Sequence, residues 1–389
     1  MKTRISRILA ALLLFAVLLC TVSCSSASNN GADGSQSLSG DVTPQQSEIK
    51  NVILIIGDGM GPEHIAAGQL YTGKTFAFTG WQSTGVNTDS VGTIGKGPVL
   101  TDSAAAGTAM ATGKLTANSY VGKDHLGKDV TTIMDLASQL GKSTGVVTTD
   151  TLFGATPAAF SAHTNNRNNS VEIVTSQLTS GVDLLCGSKD TLCTSRQSEI
   201  EAAGYTYCDD FKTVDGTMSA DKTYWQFGMA GTTASVKLCD AGVKALNYLD
   251  QDEDGFVLMI EQAHVDKYSH SNDFGGMVES VKSLNDTVEA VMSWLGDRTD
   301  TVVLITADHE TGGLAIGAHD RYTKSYQGGA ETIYYNWSST THTNSKVMLF
   351  VYGVTVDFST FNYYASRHLI KNTNIFDLMS GVLAPPAED

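Results

Sequence analysis

The sequence predicts an α/β chain, a three-layer αβα sandwich around a large, mostly parallel sheet. Short apolar, β-branched runs alternate with segments of helical spacing along most of the chain, the mark of strand–helix–strand units. These runs are continuous rather than alternating, as in Asn51-Val52-Ile53-Leu54-Ile55-Ile56, which suits strands buried on both faces. With 389 residues, 41% of them hydrophobic, the chain can bury one large core.

The elements follow in order. After the first strand, Gly57-Asp58-Gly59-Met60-Gly61-Pro62 breaks the run, and Pro62 opens a helix that continues through Gln69. Residues 101–113, T-D-S-A-A-A-G-T-A-M-A-T-G, read as a small-residue helix that Asp102 can cap. Segment 131–140 has helical spacing, and 143–149 reads as a strand leading into Ala155-Thr156-Pro157-Ala158-Ala159. His163 and Arg167 then stand one helical turn apart. Helices at 171–178, 235–249 and 277–295 alternate with strands at 256–260 and 301–306; a strand at 346–352 and a short helix at 375–382 close the series. With no internal repeat and no second linker, residues 49–389 read as one domain with insertions.

Ahead of that domain, Lys2, Arg4 and Arg7 precede an apolar run, 8–20, whose 13 residues are too few to span a bilayer comfortably. Residues 1–23 read as a signal peptide, and 24–48, rich in Ser, Asn, Gly and Gln, as a flexible tether. The site Thr21-Val22-Ser23-Cys24 resembles a bacterial lipoprotein signal. It places the chain at the cell surface or in the periplasm, lipid-anchored at Cys24. Thr21 is not the usual aliphatic residue, so ordinary cleavage and full secretion is the alternative. Losing Lys2, Arg4 and Arg7 with the signal, and no acid, takes the formal charge from −16 to −19. So acidic a surface argues against nucleic acid and against anionic membrane, leaving the lipid anchor as the membrane contact. Oligomeric state stays open, a homodimer included. Beyond Cys20 and Cys24 lie Cys186, Cys193, Cys208 and Cys239. An even number in an exported protein suggests two disulfides, and local spacing favours Cys186 with Cys193 and Cys208 with Cys239.

Ser103 is the candidate nucleophile, because a helix N-terminus offers unpaired N–H groups and partial positive charge to a phosphate or oxyanion. Ala104, Ala105, Ala106, Gly107 and Ala109 carry almost no bulk, so another element can approach closely. Asp58 lies at the carboxyl end of a strand, where open α/β sheets bind ligands. Strand 256–260 runs into Glu261, then Asp266 and His270, whose spacing on a helix lets both grip one ion. Strand 301–306 runs into the adjacent pair Asp308-His309, and Thr341-His342-Thr343 precedes the last main strand. One buried histidine is commonly a core residue; acids and histidines at the ends of successive strands are hard to dismiss that way.

The segments G-D-G-M-G, T-D-S-A-A, A-T-P-A-A-F-S-A-H-T-N-N-R, E-Q-A-H-V-D-K-Y-S-H, T-A-D-H-E-T-G-G and T-H-T-N-S fall in the order of the alkaline phosphatase family, which the chain resembles from about Asn51 onward. The resemblance implies an alkaline phosphatase-like fold and hydrolysis of small phosphate monoesters through a phosphoserine, with two zinc ions and one magnesium. It implies that Asp266, His270 and His342 hold a first zinc, and Asp58, Asp308 and His309 a second beside Ser103. Asp58, Thr156 and Glu261 would hold the magnesium, and Arg167 would clamp the phosphate. Zinc accepts imidazole and carboxylate, whereas magnesium prefers oxygen, so the donors suit their ions. A guanidinium fork fits the free oxygens of a monoester better than a diester, which weighs against a phosphodiesterase or pyrophosphatase with a similar two-zinc centre. A surface phosphate- or calcium-binding protein without catalysis would not need Ser103 together with every ligand.

Two departures and one pattern match complete the reading. Gly154 stands where similar members place an Asp or His that supports the magnesium's waters, so Lys267, which pairs with that acid in some members, would be free to reach bound phosphate through water. An acid such as Asp150 or Glu310 filling the gap is the alternative. His309 and His342 are 33 positions apart, a short span for the family, and Tyr322, Tyr326, Tyr334, Tyr335 and Trp337 within it could rim the site or cover a surface loop. Asp250, Asp252, Asp254, Gly255 and Glu261 match the EF-hand expression, yet an apolar strand follows the glycine where a helix is needed. A small calcium site on Asp250, Asp252 and Asp254, or a plain acidic turn, remain as readings.

Overall fold

The computed structural model describes residues 49–91, 99–214, 222–361 and 369–383; the expected signal peptide, tether and Cys24 lie outside them. Strands β1 (Asn51–Gly57), β2 (Gln82–Asn87), β3 (Ser143–Thr148), β4 (Leu184–Ser188), β5 (Tyr205–Cys208), β6 (Lys222–Phe227), β7 (Phe256–Gln262) and β8 (Thr301–Thr306) belong to one large sheet. Beyond β8 come five short strands, β9 (Glu310–Thr311), β10 (Leu314–Gly317), β11 (Lys324–Tyr326), β12 (Ile333–Trp337) and β13 (His342–Thr343). The chain then returns with β14 (Val347–Tyr352) and β15 (Leu369–Lys371) to complete ten strands in the order β15-β2-β14-β8-β1-β7-β3-β4-β6-β5. Among the described residues β14 alone runs against the rest, antiparallel to both β8 and β2.

Strand β1 sits between β7 and β8, parallel to both. Its residues Val52 to Ile56 are at most 1% exposed, as a run without polar alternation requires. Each such side chain contributes about 1.5–3 kcal/mol by leaving water, and Ile55→Ala should cost about 2–5 kcal/mol, because nothing can collapse into the space.

Helices cover both faces of the sheet. They are α1 (Pro62–Thr72), α2 (Ser103–Thr112), α3 (Ile133–Gln139), α4 (Ala155–Ala159), α5 (Ser170–Gln177), α6 (Thr191–Ser195), α7 (Gln197–Ala202), α8 (Leu238–Leu249), α9 (His264–His270), α10 (Phe274–Leu295) and α11 (Thr373–Leu383). Helix α10 packs on α8, α1 and β1, while α11 packs on α2, α3 and β1. No helix among the described residues is long and apolar enough to cross a membrane.

Three expectations fail here. The four cysteines are free thiols. Cys186 is in register with Trp225 of β6, whereas the Cys193 thiol lies 3.1 Å from the hydroxyl of the adjacent Tyr224. Neighbouring residues of a strand face opposite sides of the sheet, so the sheet itself separates Cys186 from Cys193. Cys208 instead contacts Asp210 and Thr213, and Cys239 its neighbour Asp240. The acidic loop is a turn, not a calcium site. Arg298 takes Asp250 at 2.7 Å, the Ser143 hydroxyl donates to Asp252 at 2.6 Å, and the three carboxylates do not converge. Finally, His163 and Arg167 lie in an irregular connection rather than on a helix, and His163 Nδ1 sits 2.6 Å from the Gly122 carbonyl.

Candidate active site

Asp102 caps α2, its Oδ1 accepting from Ala105 N at 2.9 Å, and Ser103 begins the helix. The other oxygen of Asp102 accepts from Ser119 N at 2.9 Å and from Arg167 Nη1 at 3.2 Å. One carboxylate therefore sets the helix start and parks the guanidinium beside Ser103. The small residues of α2 let α4 come close. A Cβ on Gly107 would stand 3.0 Å from Ala159 Cβ and 3.5 Å from Thr156 Cα, so α4 can bring Thr156 toward the site only because residue 107 lacks one.

The strand ends supply the acids. Asp58 follows β1, Glu261 lies near the end of β7, and Asp308 and His309 follow β8. Between β1 and α1 the chain turns through Gly59, whose φ is +73°; a Cβ there would stand 2.8 Å from Asp266 Cα. Glycine answers both demands. His309 Nε2 lies 3.1 Å from Ser103 Oγ, 3.0 Å from Asp308 Oδ2 and 3.6 Å from Asp58 Oδ1.

Helix α9 and the two-stranded β9–β13 ribbon supply the rest. Asp266 Oδ2 lies 3.3 Å from His270 Nε2, the helical neighbour that the four-residue spacing demands, and Asp266 Oδ1 lies 3.7 Å from His342 Nε2. His270 Nδ1 is 2.7 Å from the Thr340 carbonyl, and His342 Nδ1 is 2.7 Å from the Thr101 carbonyl. A carbonyl can only accept, so each Nδ1 carries the proton and each Nε2 faces the cluster.

Electrostatics shows what the cluster lacks. Burial, then the charges of Asp308, Asp266 and Glu261, push the Asp58 carboxyl well above its ordinary range. Burial, with Asp150 next, pushes Glu261 up to about 8. Burial opposes the charge on Asp266, but His270, His309 and Thr311 outweigh it and hold its carboxyl below the usual range. The bond to Asp266 pushes His270 up to about 9. Asp58 Oδ1 and Thr156 Oγ1 are buried without a hydrogen-bond partner. Orphaned oxygens among mutually repelling acids are what a cation would satisfy. Among the described residues, Asp266, His270 and His342 form one group able to hold a metal ion, and Asp58, Asp266 and His309 a second. These residues fit zinc, and the all-oxygen set Asp58, Thr156 and Glu261 fits magnesium.

A family model for alkaline phosphatase matches residues 49–187 and 225–362. The chain belongs to the alkaline phosphatase family. Alkaline phosphatase 4 of Bacillus subtilis is 33% identical over 299 residues, which cover 70% of this chain and 64% of that protein. The Escherichia coli alkaline phosphatase is 28% identical over 350 residues, covering 71% and 74%. The chain thus spans less than two thirds of the Bacillus relative's length. Among solved structures, the alkaline phosphatase of the Antarctic bacterium TAB5 aligns with a TM-score of 0.74 at 25% identity, over 87% of this chain and 99% of that one. A variant of it has been solved with magnesium bound.

The sequence-predicted residues Asp58, Ser103, Asp266, His270, Asp308, His309 and His342 come together, with Thr156 and Glu261 buried in the same acidic region. Lys267 departs from expectation. It is not free of a carboxylate, because Asp150 Oδ1 lies 2.5 Å from its Nζ. Asp150 Oδ2 stands 2.7 Å from where a Cβ on residue 154 would be, so Asp150 fills the room that Gly154 leaves. Glu310 instead accepts from Thr343 and from the Gly313 and Leu314 amides. Three aromatics of the short span pack against neighbouring elements: Tyr335 stacks on Phe274 at 4.0 Å, Tyr326 meets Tyr71 and Phe274, and Trp337 meets His64, whereas Tyr334 packs on the exposed His319. Sequence reasoning missed Thr311, Thr148, whose hydroxyl donates to Glu261, and the carbonyls of Thr101 and Thr340. Backbone carbonyls leave no mark on a sequence, and Thr311 was marked only by lying inside T-A-D-H-E-T-G-G.

Proposed function

We propose that this chain is a metal-dependent phosphomonoesterase that works outside the cytoplasm through a phosphoserine at Ser103. The observation that carries the reading is the convergence on one hydroxyl: Ser103 Oγ at the start of α2, His309 Nε2 3.1 Å away, and Arg167 held beside it by Asp102. Asp266, His270 and His342 would hold one zinc, Asp58, Asp308 and His309 a second together with Ser103, and Asp58, Thr156 and Glu261 a magnesium. Bound there, these ions would favour the serine alkoxide, stabilise the attacking and leaving oxygens and activate the hydrolytic water.

The protein's own groups do the rest. Ser103 Oγ attacks phosphorus in line with the leaving alcohol, forming one P–O bond as the ester P–O bond breaks; water then cleaves the seryl phosphate and releases inorganic phosphate. The α2 N-terminus turns unpaired N–H groups and its partial positive charge toward the phosphoryl oxygens. Arg167 offers its fork to two of them, and a diester, with one oxygen fewer free, uses that fork less well. Lys267, neutralised in part by Asp150, stands at the margin of the site.

The test sets monoester and diester cleavage side by side, with and without chelator, and traps the phosphoenzyme. Chelator-sensitive monoester cleavage with label on Ser103 is expected. Faster diester cleavage would favour a phosphodiesterase with a similar centre, and phosphate binding without turnover a non-catalytic protein. Mass spectrometry of the mature N-terminus tests lipid attachment at Cys24.

A further inference from the structure

We propose that Thr311 is a positioning residue that serves both zinc sites through one hydroxyl, fixing the tautomer of His309 and the orientation of Asp266. The inference rests on the metal-centre reading above. Thr311 is fully buried in β9, and its Oγ1 meets two groups, Asp266 Oδ1 and His309 Nδ1, the latter at 3.2 Å. A hydroxyl has one hydrogen and a carboxylate can only accept, so the hydrogen goes to Asp266. Only a lone pair remains for His309, and its Nδ1 must therefore carry the proton. His309 Nε2 is then the nitrogen that faces Ser103 Oγ, Asp308 and Asp58.

His270 and His342 keep their Nδ1 protons by a different route, each on a backbone carbonyl. His309 alone of the three depends on a side chain. Asp266 would be a ligand of the first zinc and His309 of the second, so the same hydroxyl touches one ligand of each. The backbone around Thr311 is pinned as well: its N–H donates to Gly59 O at 3.1 Å, and it pairs in register with His342. Thr311 thus links the turn after β1, the pair after β8, α9 and the ribbon.

Thr311→Val keeps the shape and removes the hydroxyl, whereas Thr311→Ser keeps the hydroxyl and removes a methyl. Zinc affinity is read on the full chain, stripped by dialysis and titrated with zinc against a chromophoric competitor, with thermal unfolding of the stripped proteins as the control for folding. Thr311→Val should bind zinc about 10–100-fold more weakly, while Thr311→Ser stays within a few-fold of the parent. Parent-like affinity in Thr311→Val would overturn the inference. So would equal weakening in Thr311→Ser, which would assign the effect to the methyl group. If Thr311→Val does not fold, Thr311→Ala against Thr311→Ser makes the same comparison. A parent that binds no zinc would refute the metal-centre reading instead.

Discussion

The two halves of the site solve opposite electrostatic problems. At the sheet ends, Asp58 and Glu261 are buried near Asp308, and burial with mutual repulsion raises both pKa values. On α9 and the ribbon, acid is matched with imidazole: Asp266 has His270 and His342 at 3.3 and 3.7 Å, and 40% of the His270 side chain is exposed. The first half is unfavourable until a cation arrives; the second already has one, the proton on His270. Metal bound there would relieve repulsion in one half and displace a proton in the other.

The largest expected effect falls on the residue between the halves. Ser103→Ala should lower turnover by at least about 10³-fold and abolish the phosphoenzyme, with zinc content and melting temperature near those of the parent. Turnover near the parent's would remove Ser103 from the chemistry. Next comes the proton. With His270 protonated up to about pH 9 in the metal-free protein, zinc must expel it, so apparent affinity at that site should rise about tenfold per pH unit between 7 and 9. A flat profile, or no proton release in calorimetry with buffers of different ionisation heat, would contradict the ion-pair half.

Substitutions then set the halves against each other in the stripped protein. Asp58→Asn should stabilise it by about 1–2 kcal/mol at pH 8 by removing repulsion, while Asp266→Asn should destabilise it by about 1–3 kcal/mol through lost charged hydrogen bonds. Urea unfolding in chelator decides the signs, and equal signs would break the contrast. Glu261 binds its proton more tightly folded than unfolded, so its contribution is full below about pH 4.5 and is lost as pH rises through about 8. The melting temperature of the stripped protein should fall across that window. Smallest is the second carboxylate. Asp150→Ala should weaken magnesium dependence about tenfold, and Gly154→Asp on that background should recover part of it. Gly154→Asp alone should gain nothing, because its Cβ would meet Asp150.

Much of this contrast was legible in the sequence, where its cause is local. Strand β8 falls on 301–306 as read, β1 begins at Asn51, and Asp266 and His270 share a helix face because four residues make a turn. What stayed hidden depends on register between distant strands. Strands β2, β4, β5, β6 and β15, toward the two sides of the sheet, owe their conformation to their neighbours. The cysteine pairing failed because spacing along the chain says nothing about which face of the sheet a thiol occupies. Asp150 could be named only as one of two acids able to stand beside Lys267, because an ion pair across 117 positions has no periodic signature.

The placement of β1 also bears on how the chain reaches this state. Its partners β7 and β8 begin some 200 and 250 residues later, so synthesis leaves this apolar strand with both edges open until residue 262 has emerged and with one edge open until residue 306 has. At ordinary ribosomal speeds that wait is on the order of 10–50 s, long against the collapse of a chain and long enough for an unpaired strand to find the wrong partner. A chain cut short before β8 should therefore aggregate rather than fold in part, and a holding chaperone would matter most during that interval.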